Sequence, residues 1–280
     1  MNEKGEQFDQ KDIENSPKIE IIRSTDGREV GFSPERGGII TSLKLNDKEL
    51  FYLDEDTFNN RDKNIKGGIP ILFPNAGPIK HADYPNMKQH GFARNNTWTI
   101  DEMGEQGFIE SLRSNPDTLD KYPYDFVLRM IAKFEKNGSF SLTQEVKNEE
   151  TDKNLPVSMG LHPYFRIPAE LKSKIKFDWD GGQAIEDQVE KWGNGKGAIS
   201  LENPSTENEL VPLNIVIPEL GTIVMTASSE YKRIWVWSAS ADANFFCVEP
   251  VMRDKGGLVD DPEIIKPGET LSPKMNIQLI

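Results

Sequence analysis

Residues 126–147 constrain the fold most. Apolar side chains fall at Phe126, Leu128, Met130, Ala132 and Phe134, then at Phe140, Leu142 and Val146, with Asn137-Gly138 between the two runs. A period of two places alternate side chains on one face of a strand, and Asn-Gly favours the left-handed conformations of a tight reversal. The stretch therefore predicts a β-hairpin with one buried face. Short β-rich segments continue the pattern at 18–23, 38–45, 157–165, 175–179, 213–217, 222–226, 234–238, 245–248 and 275–279. Turn residues separate them at nearly regular intervals, as in an antiparallel sandwich or barrel. Helical periodicity is confined to a turn or two at 57–63 and 169–176. The expected class is all-β, with few short helices.

A second stretch, 66–98, reads KGGIPILFPNAGPIKHADYPNMKQHGFARNNTW. Proline at 70, 74, 78 and 85 removes backbone donors, and Gly67-Gly68 opens conformations that other residues avoid. It is neither a helix nor a long strand. Its apolar content (Ile69, Ile71, Leu72, Phe73, Phe92, Trp98) implies a loop packed onto the sheets. Such loops carry function because a rigid scaffold positions them. The tetrads at 36–39, 66–69 and 255–258 are alike, but their unequal spacing excludes a repeat array. Residues 1–16, with five acids against two lysines, read as a flexible polar tail, and 17–280 as a single domain.

Composition narrows the function classes. A net charge of −13 disfavours nucleic acid and anionic membrane surfaces as partners. A single cysteine, Cys247, excludes an internal disulfide framework and fits a reducing compartment. With no apolar run of membrane-spanning length and a polar start, the expected location is the cytoplasm.

Three histidines can each be weighed. His81, in IKHADYP, reads as an exposed spacer. His90 sits in QHGFAR, in either a binding or a structural role. His162, in MGLHPYF, precedes Pro163, which forces an extended backbone as at a strand end turning into a site; a buried histidine satisfied by a carbonyl is the alternative. Glu249 ends the apolar run FFCVEP, an odd place for a solubilising charge. Desolvation there would raise its pKa towards that of a general base, unless Arg253 or Arg233 pairs with it. Trp235 and Trp237 share a strand face, as core packing or as a sugar-stacking surface. Metal-ligand spacings, GxGxxG, a P-loop and a G-x-S-x-G elbow are all missing from the sequence, so neither metal nor cofactor is expected.

Four of these motifs, GGIPILFPNAG, QHGFAR, LHPYF and CVEP, occur in that order between residues 67 and 250. The chain thereby resembles the aldose 1-epimerase (galactose mutarotase-like) superfamily, in particular the branch with hexose-6-phosphate epimerases. The resemblance implies a β-sandwich of two large twisted antiparallel sheets with a sugar in an open groove. It implies His162 as general acid and Glu249 as general base. It gives His90, Arg94, Lys66 and Asn75 as substrate-binding residues. Relatives acting on hexose 6-phosphates commonly carry Arg where this chain has Lys66, a point charge without the bidentate fork. Arg61 and Lys88 are further candidates for a phosphate patch, and Asp187 for a sugar-binding aspartate. The implied activity interconverts α and β anomers of a hexose or hexose 6-phosphate, in a monomer or weak homodimer. A non-catalytic sugar-binding protein and a glycoside hydrolase with paired carboxylates are the rival readings.

Overall fold

A computed structural model describes residues 16–188 and 197–280. The expected tail, except Ser16, lies outside the described residues. The rest is built mainly of antiparallel strands with a few short helices. The larger sheet has nine strands. Its spatial order runs Lys176–Asp178, Leu213–Ile217, Gly221–Ala227, Lys274–Leu279, Phe140–Asn148, Phe126–Phe134, Gly107–Arg113 and Thr99–Gly104, with Thr270–Leu271 also on Phe140–Asn148. The smaller sheet of six orders Ile199–Glu202, Arg233–Trp237, Phe245–Val251, Gly160–Leu161 and Ile71–Leu72, and Tyr164–Arg166 adds to Phe245–Val251. A four-stranded meander, Glu20–Arg23 through Lys48–Glu49, precedes them.

The predicted hairpin forms the middle of the large sheet, with Phe134 opposite Phe140 and every alternate apolar residue named above buried. Its reversal is longer than a two-residue turn. The Glu135 N–H donates to the Ser139 carbonyl at 2.8 Å, and Gly138 closes the loop at φ 87°. Asn137-Gly138 thus supplies the left-handed residue of a three-residue loop. The apolar cluster beneath runs from Ile22 to Leu279 and joins residues of both large sheets.

The expected single strand over 157–165 is broken into Leu155–Val157, Gly160–Leu161 and Tyr164–Arg166. Pro163 has no N–H for the ladder, and the His162 N–H turns instead to the Pro70 carbonyl at 3.1 Å. The stretch 66–98 is, as expected, almost free of regular structure. It holds a two-residue strand, Ile71–Leu72, and a 3-10 turn, Ala93–Asn95, while Ile69, Ile71, Leu72, Phe73, Phe92 and Trp98 are all buried. It is tied to the small sheet by Ser158 N–H to the Pro74 carbonyl and Ala76 N–H to the Ser158 carbonyl, at 2.8 and 2.7 Å.

Gly91, at φ 71°, lies so close to the Phe73 carbonyl that a Cβ would overlap it. Gly91→Ala should therefore cost about 3 kcal/mol or more in urea unfolding. Gly138→Ala, with only Gln278 Nε2 at 3.9 Å, should cost about 1 kcal/mol. A second prediction concerns Glu110, fully buried with neither carboxylate oxygen partnered. Burial raises its pKa from 4.5 to about 8. The folded state thus holds the proton more tightly than the unfolded state, so stability is lost as pH rises from 4.5 to about 8. Thermal melts across that window should show a flatter pH profile for Glu110→Gln than for the natural chain.

Candidate active site

Cross-strand register assembles the floor of the site. Trp235 lies opposite Glu249, Trp237 opposite Cys247, and Tyr164 opposite Cys247. Directly opposed residues share a face, so these five side chains point the same way. Above them opens a cavity of about 520 Å³. His162, two residues before Tyr164 and thus on the same face, stacks on the Tyr164 ring at 4.6 Å with the planes 11° apart. Its Nε2 lies 3.4 Å from Glu249 Oε1, with His162 6 % and Glu249 2 % exposed. Glu249 Oε2 and His162 Nδ1 have no hydrogen-bond partner.

The alternative ion pairs for Glu249 are not formed. Arg253 pairs with Asp261 at 2.6 Å and Glu263 at 3.2 Å, and Arg233 with Asp254 at 3.1 Å and Glu202 at 3.7 Å. Burial pushes the Glu249 carboxyl well above its ordinary value, with Arg94 and Lys255 pulling the other way. Burial, then His90 and Arg94, hold the His162 imidazole well below its ordinary value.

The 66–98 loop supplies the opposite wall. His90 adopts a positive φ of 67°, uncommon outside glycine. Its N–H donates to the Gly77 carbonyl at 2.9 Å, and its Nδ1 accepts from the Gly77 N–H at 3.0 Å. That bond leaves the proton on Nε2, and the Gln89 side-chain amide, 3.0 Å away, must then turn its oxygen to the ring to accept it. Burial, Arg94 and Lys255 lower the His90 pKa to about 3. The rings of His90 and His162 meet edge to face at 5.6 Å. Arg94 Nη2 donates to the Gln89 carbonyl at 2.9 Å, and the guanidinium feels both Tyr164 and Glu249. Lys66 is exposed at the cavity lining.

Asn75 corrects the sequence-based expectation. It is 1 % exposed, does not line the cavity, and its Nδ2 donates to the Gly77 carbonyl at 2.7 Å. The hydrogen bonds of Pro74 and Ala76 to Ser158 turn its side chain into the loop, where it braces the residue that orients His90. Asp187 accepts from Gln183 Nε2 at 3.0 Å outside the cavity, Arg61 pairs with Glu35 at 2.9 Å, and Lys88 does not reach the lining. Lys255 and Tyr164 line the cavity but were not singled out from the sequence. The alternation of Trp235 and Trp237 opposite Cys247 and Glu249 was the signal that a face of that strand could be the floor.

The family model described as aldose 1-epimerase matches residues 21–278. The chain belongs to the aldose 1-epimerase family. The LacX protein (chromosomal form) of Lactococcus lactis subsp. lactis is 33 % identical, over 82 % of this chain and 89 % of its own. A Cenchrus ciliaris protein, named as a candidate glucose-6-phosphate 1-epimerase, is 26 % identical over 83 % of this chain and 76 % of its own. Among solved structures, a Synechocystis sp. PCC 6803 protein superposes with a TM-score of 0.78 at 24 % identity, covering 94 % of this chain and 95 % of its own. A galactose mutarotase related enzyme of Lactobacillus acidophilus gives 0.74 at 19 %, covering 94 % and 97 %. The fold is that of the galactose mutarotase-like proteins.

Within this aldose 1-epimerase fold, one group among the described residues has metal-ligating atoms clustered: His162, Cys247 and Glu249, within 4.8 Å of one another. Burial and the nearby Glu249 charge push the Cys247 thiol well above its ordinary value, favouring S–H when no cation is bound. The cluster is thus a histidine and a carboxyl in contact, with a buried thiol beneath. The tautomer assignment has a direct check. Imidazole ¹⁵N shifts should show His90 neutral and protonated on Nε2 from about pH 8 down to about pH 5. A histidine titrating near its ordinary midpoint would contradict the assignment.

Proposed function

We propose that this chain is an aldose 1-epimerase that interconverts the α and β anomers of a hexose or hexose 6-phosphate, with His162 as general acid and Glu249 as general base. The observation that carries it is the buried 3.4 Å approach of His162 Nε2 to Glu249 Oε1 on the cavity floor. Both atoms can reach adjacent oxygens of one sugar ring, O5 and O1, by hydrogen bonds.

The protons balance within the pair. Glu249 takes the O1 proton while the His162 imidazolium gives its proton to O5. The C1–O5 bond breaks, C1=O1 forms, and the open chain rotates about C1–C2. Closure onto the other carbonyl face reverses both transfers. The pair begins as imidazolium and carboxylate, passes through imidazole and carboxylic acid, and returns with the same single proton. Burial favours the two neutral groups, so ring opening runs towards the tautomer that the site prefers. Each group contributes roughly 10²–10⁴-fold. His90, its Nε2–H exchanging the Gln89 amide for a ring hydroxyl, and Arg94 bind the sugar, and the Trp235 and Trp237 rings give it an apolar floor. Lys66, at the exposed lining, receives a 6-phosphate as a point charge.

A glycoside hydrolase requires a second carboxylate across the bond, and Glu249 is the only carboxylate lining the cavity among the described residues. A protein that only binds sugar has no use for a buried carboxyl against a histidine with one oxygen left without a partner, which costs stability.

Anomer relaxation, followed by NMR exchange or polarimetry on glucose, galactose and glucose 6-phosphate, tests this function. The natural chain should accelerate it, and His162→Ala and Glu249→Ala should each lower kcat by about 10²–10⁴. kcat/KM should follow a bell in pH, falling at high pH as the shared proton leaves and at low pH as a second one binds. Lys66→Met should raise KM several-fold for the phosphorylated sugar alone. Sugar binding without acceleration would leave a binding protein on this fold.

A further inference from the structure

One cation of the cavity comes from neither the 66–98 loop nor the strands of the floor. It is Lys255, on the turn after Phe245–Val251. The residue before it is clamped. Asp254 Oδ1 accepts from Trp235 Nε1 at 2.9 Å and Ser200 Oγ at 2.6 Å, and Oδ2 pairs with Arg233 Nε at 3.1 Å. The Lys255 stem then lies over Gly77, where a Cβ would come within 3.0 Å of its Cγ. Gly77 is the residue that holds both the backbone and the ring of His90. The stem therefore closes the loop wall against the strand wall, at the edge of the cavity. Glu249 and His90 both feel its charge, whereas neither registers Lys66. No hydrogen bond or ion pair engages the Lys255 ammonium among the described residues, and it is exposed.

The groups facing Glu249 are His162 and Tyr164 from the segment 160–166, Cys247 from its own strand, Arg94 from the loop and Lys255 from the turn. Two of these are cations, and they differ. The Arg94 guanidinium is tethered to the Gln89 carbonyl, while the Lys255 ammonium has all three donors available. A flexible ammonium next to a buried carboxylate is suited to a charge that appears and disappears during turnover.

We propose that Lys255 is the positioning cation of the acid–base end, its ammonium balancing the charge on Glu249 and donating a hydrogen bond to the sugar oxygen that the carboxylate deprotonates. This rests on the epimerase reading of the same cavity and assigns Lys255 a task distinct from that of Lys66. The Asp254 clamp aims the lysine, and Gly77 admits it because it has no side chain.

The test uses the full chain and its Lys255→Met, Lys255→Arg and Lys136→Met variants. One arm titrates the Glu249 side-chain carboxyl by ¹³C NMR, with its signal assigned through Glu249→Gln. The other measures kcat/KM for anomer exchange of uncharged glucose and galactose against pH, so that no phosphate is involved. Lys255→Met should raise the Glu249 midpoint by about half a pH unit or more, lower kcat/KM about tenfold, and move both limbs of the bell to higher pH. Lys255→Arg should restore most of each effect, and Lys136→Met, in the hairpin loop and outside the cavity lining, should produce none. An unchanged Glu249 midpoint in Lys255→Met overturns the proposal, whatever the activity. A natural chain that accelerates no hexose sinks the epimerase reading instead, while the carboxyl titration still decides whether Lys255 governs Glu249.

Discussion

A carboxylate and an imidazole 3.4 Å apart, both nearly inaccessible to water, are the constraint on which the site depends. Separately, each group would be driven to its neutral form by burial. Together they can hold one proton in two arrangements, neutral–neutral or imidazolium–carboxylate; burial favours the first, and Arg94 and Lys255 pull the carboxyl towards the second. Tyr164 and the two tryptophans keep the pair dry, and Arg94 and Lys255 supply the positive charge that keeps the carboxylate form accessible. Removing the cations would leave an inert protonated acid. A more open floor would let water screen the pair and weaken the same electrostatics.

The loop 66–98 provides what the sheets cannot. Strands can place Glu249 and His162 only on a flat face, and a sugar needs contacts from above. The loop reaches over because its apolar side chains are buried like core residues, and because Asn75, Gly77 and Ser158 hold its backbone from behind. His90 pays for its place with a left-handed backbone, offset by two hydrogen bonds to Gly77. Gly91 is then obliged to be glycine, since its α-carbon sits against the Phe73 carbonyl. Loop strain and ligand geometry are thus fixed by the same few residues.

Much of this was legible in the sequence, for physical reasons that differ by element. The hairpin 126–148 alternates because one face is core. The strands Thr99–Gly104 and Gly107–Arg113 escaped notice because the first is an edge strand, largely exposed and acidic, without a buried face to impose a pattern. The break at His162-Pro163 followed from proline's missing donor, yet appeared as one strand because the flanking residues are uniformly apolar. His162 and Glu249 stood out as polar residues ending apolar runs. Asn75 misled because a motif conveys proximity to a site and not the direction of a side chain. Lys255 entered only as the start of the tetrad 255–258, with no sign of where its side chain lies; its placement depends on Asp254 meeting Trp235 and Ser200 across the sheet.

The central claim is that His162 and Glu249 act on O5 and O1 of one ring. A crystal structure with a bound hexose tests it most directly. The account predicts the C1–O5 edge over the pair, with Glu249 within hydrogen-bonding distance of O1 and His162 Nε2 of O5, and C6 directed towards Lys66. A sugar seated with its C4–C6 side over the pair, and the anomeric carbon in solvent, would contradict it.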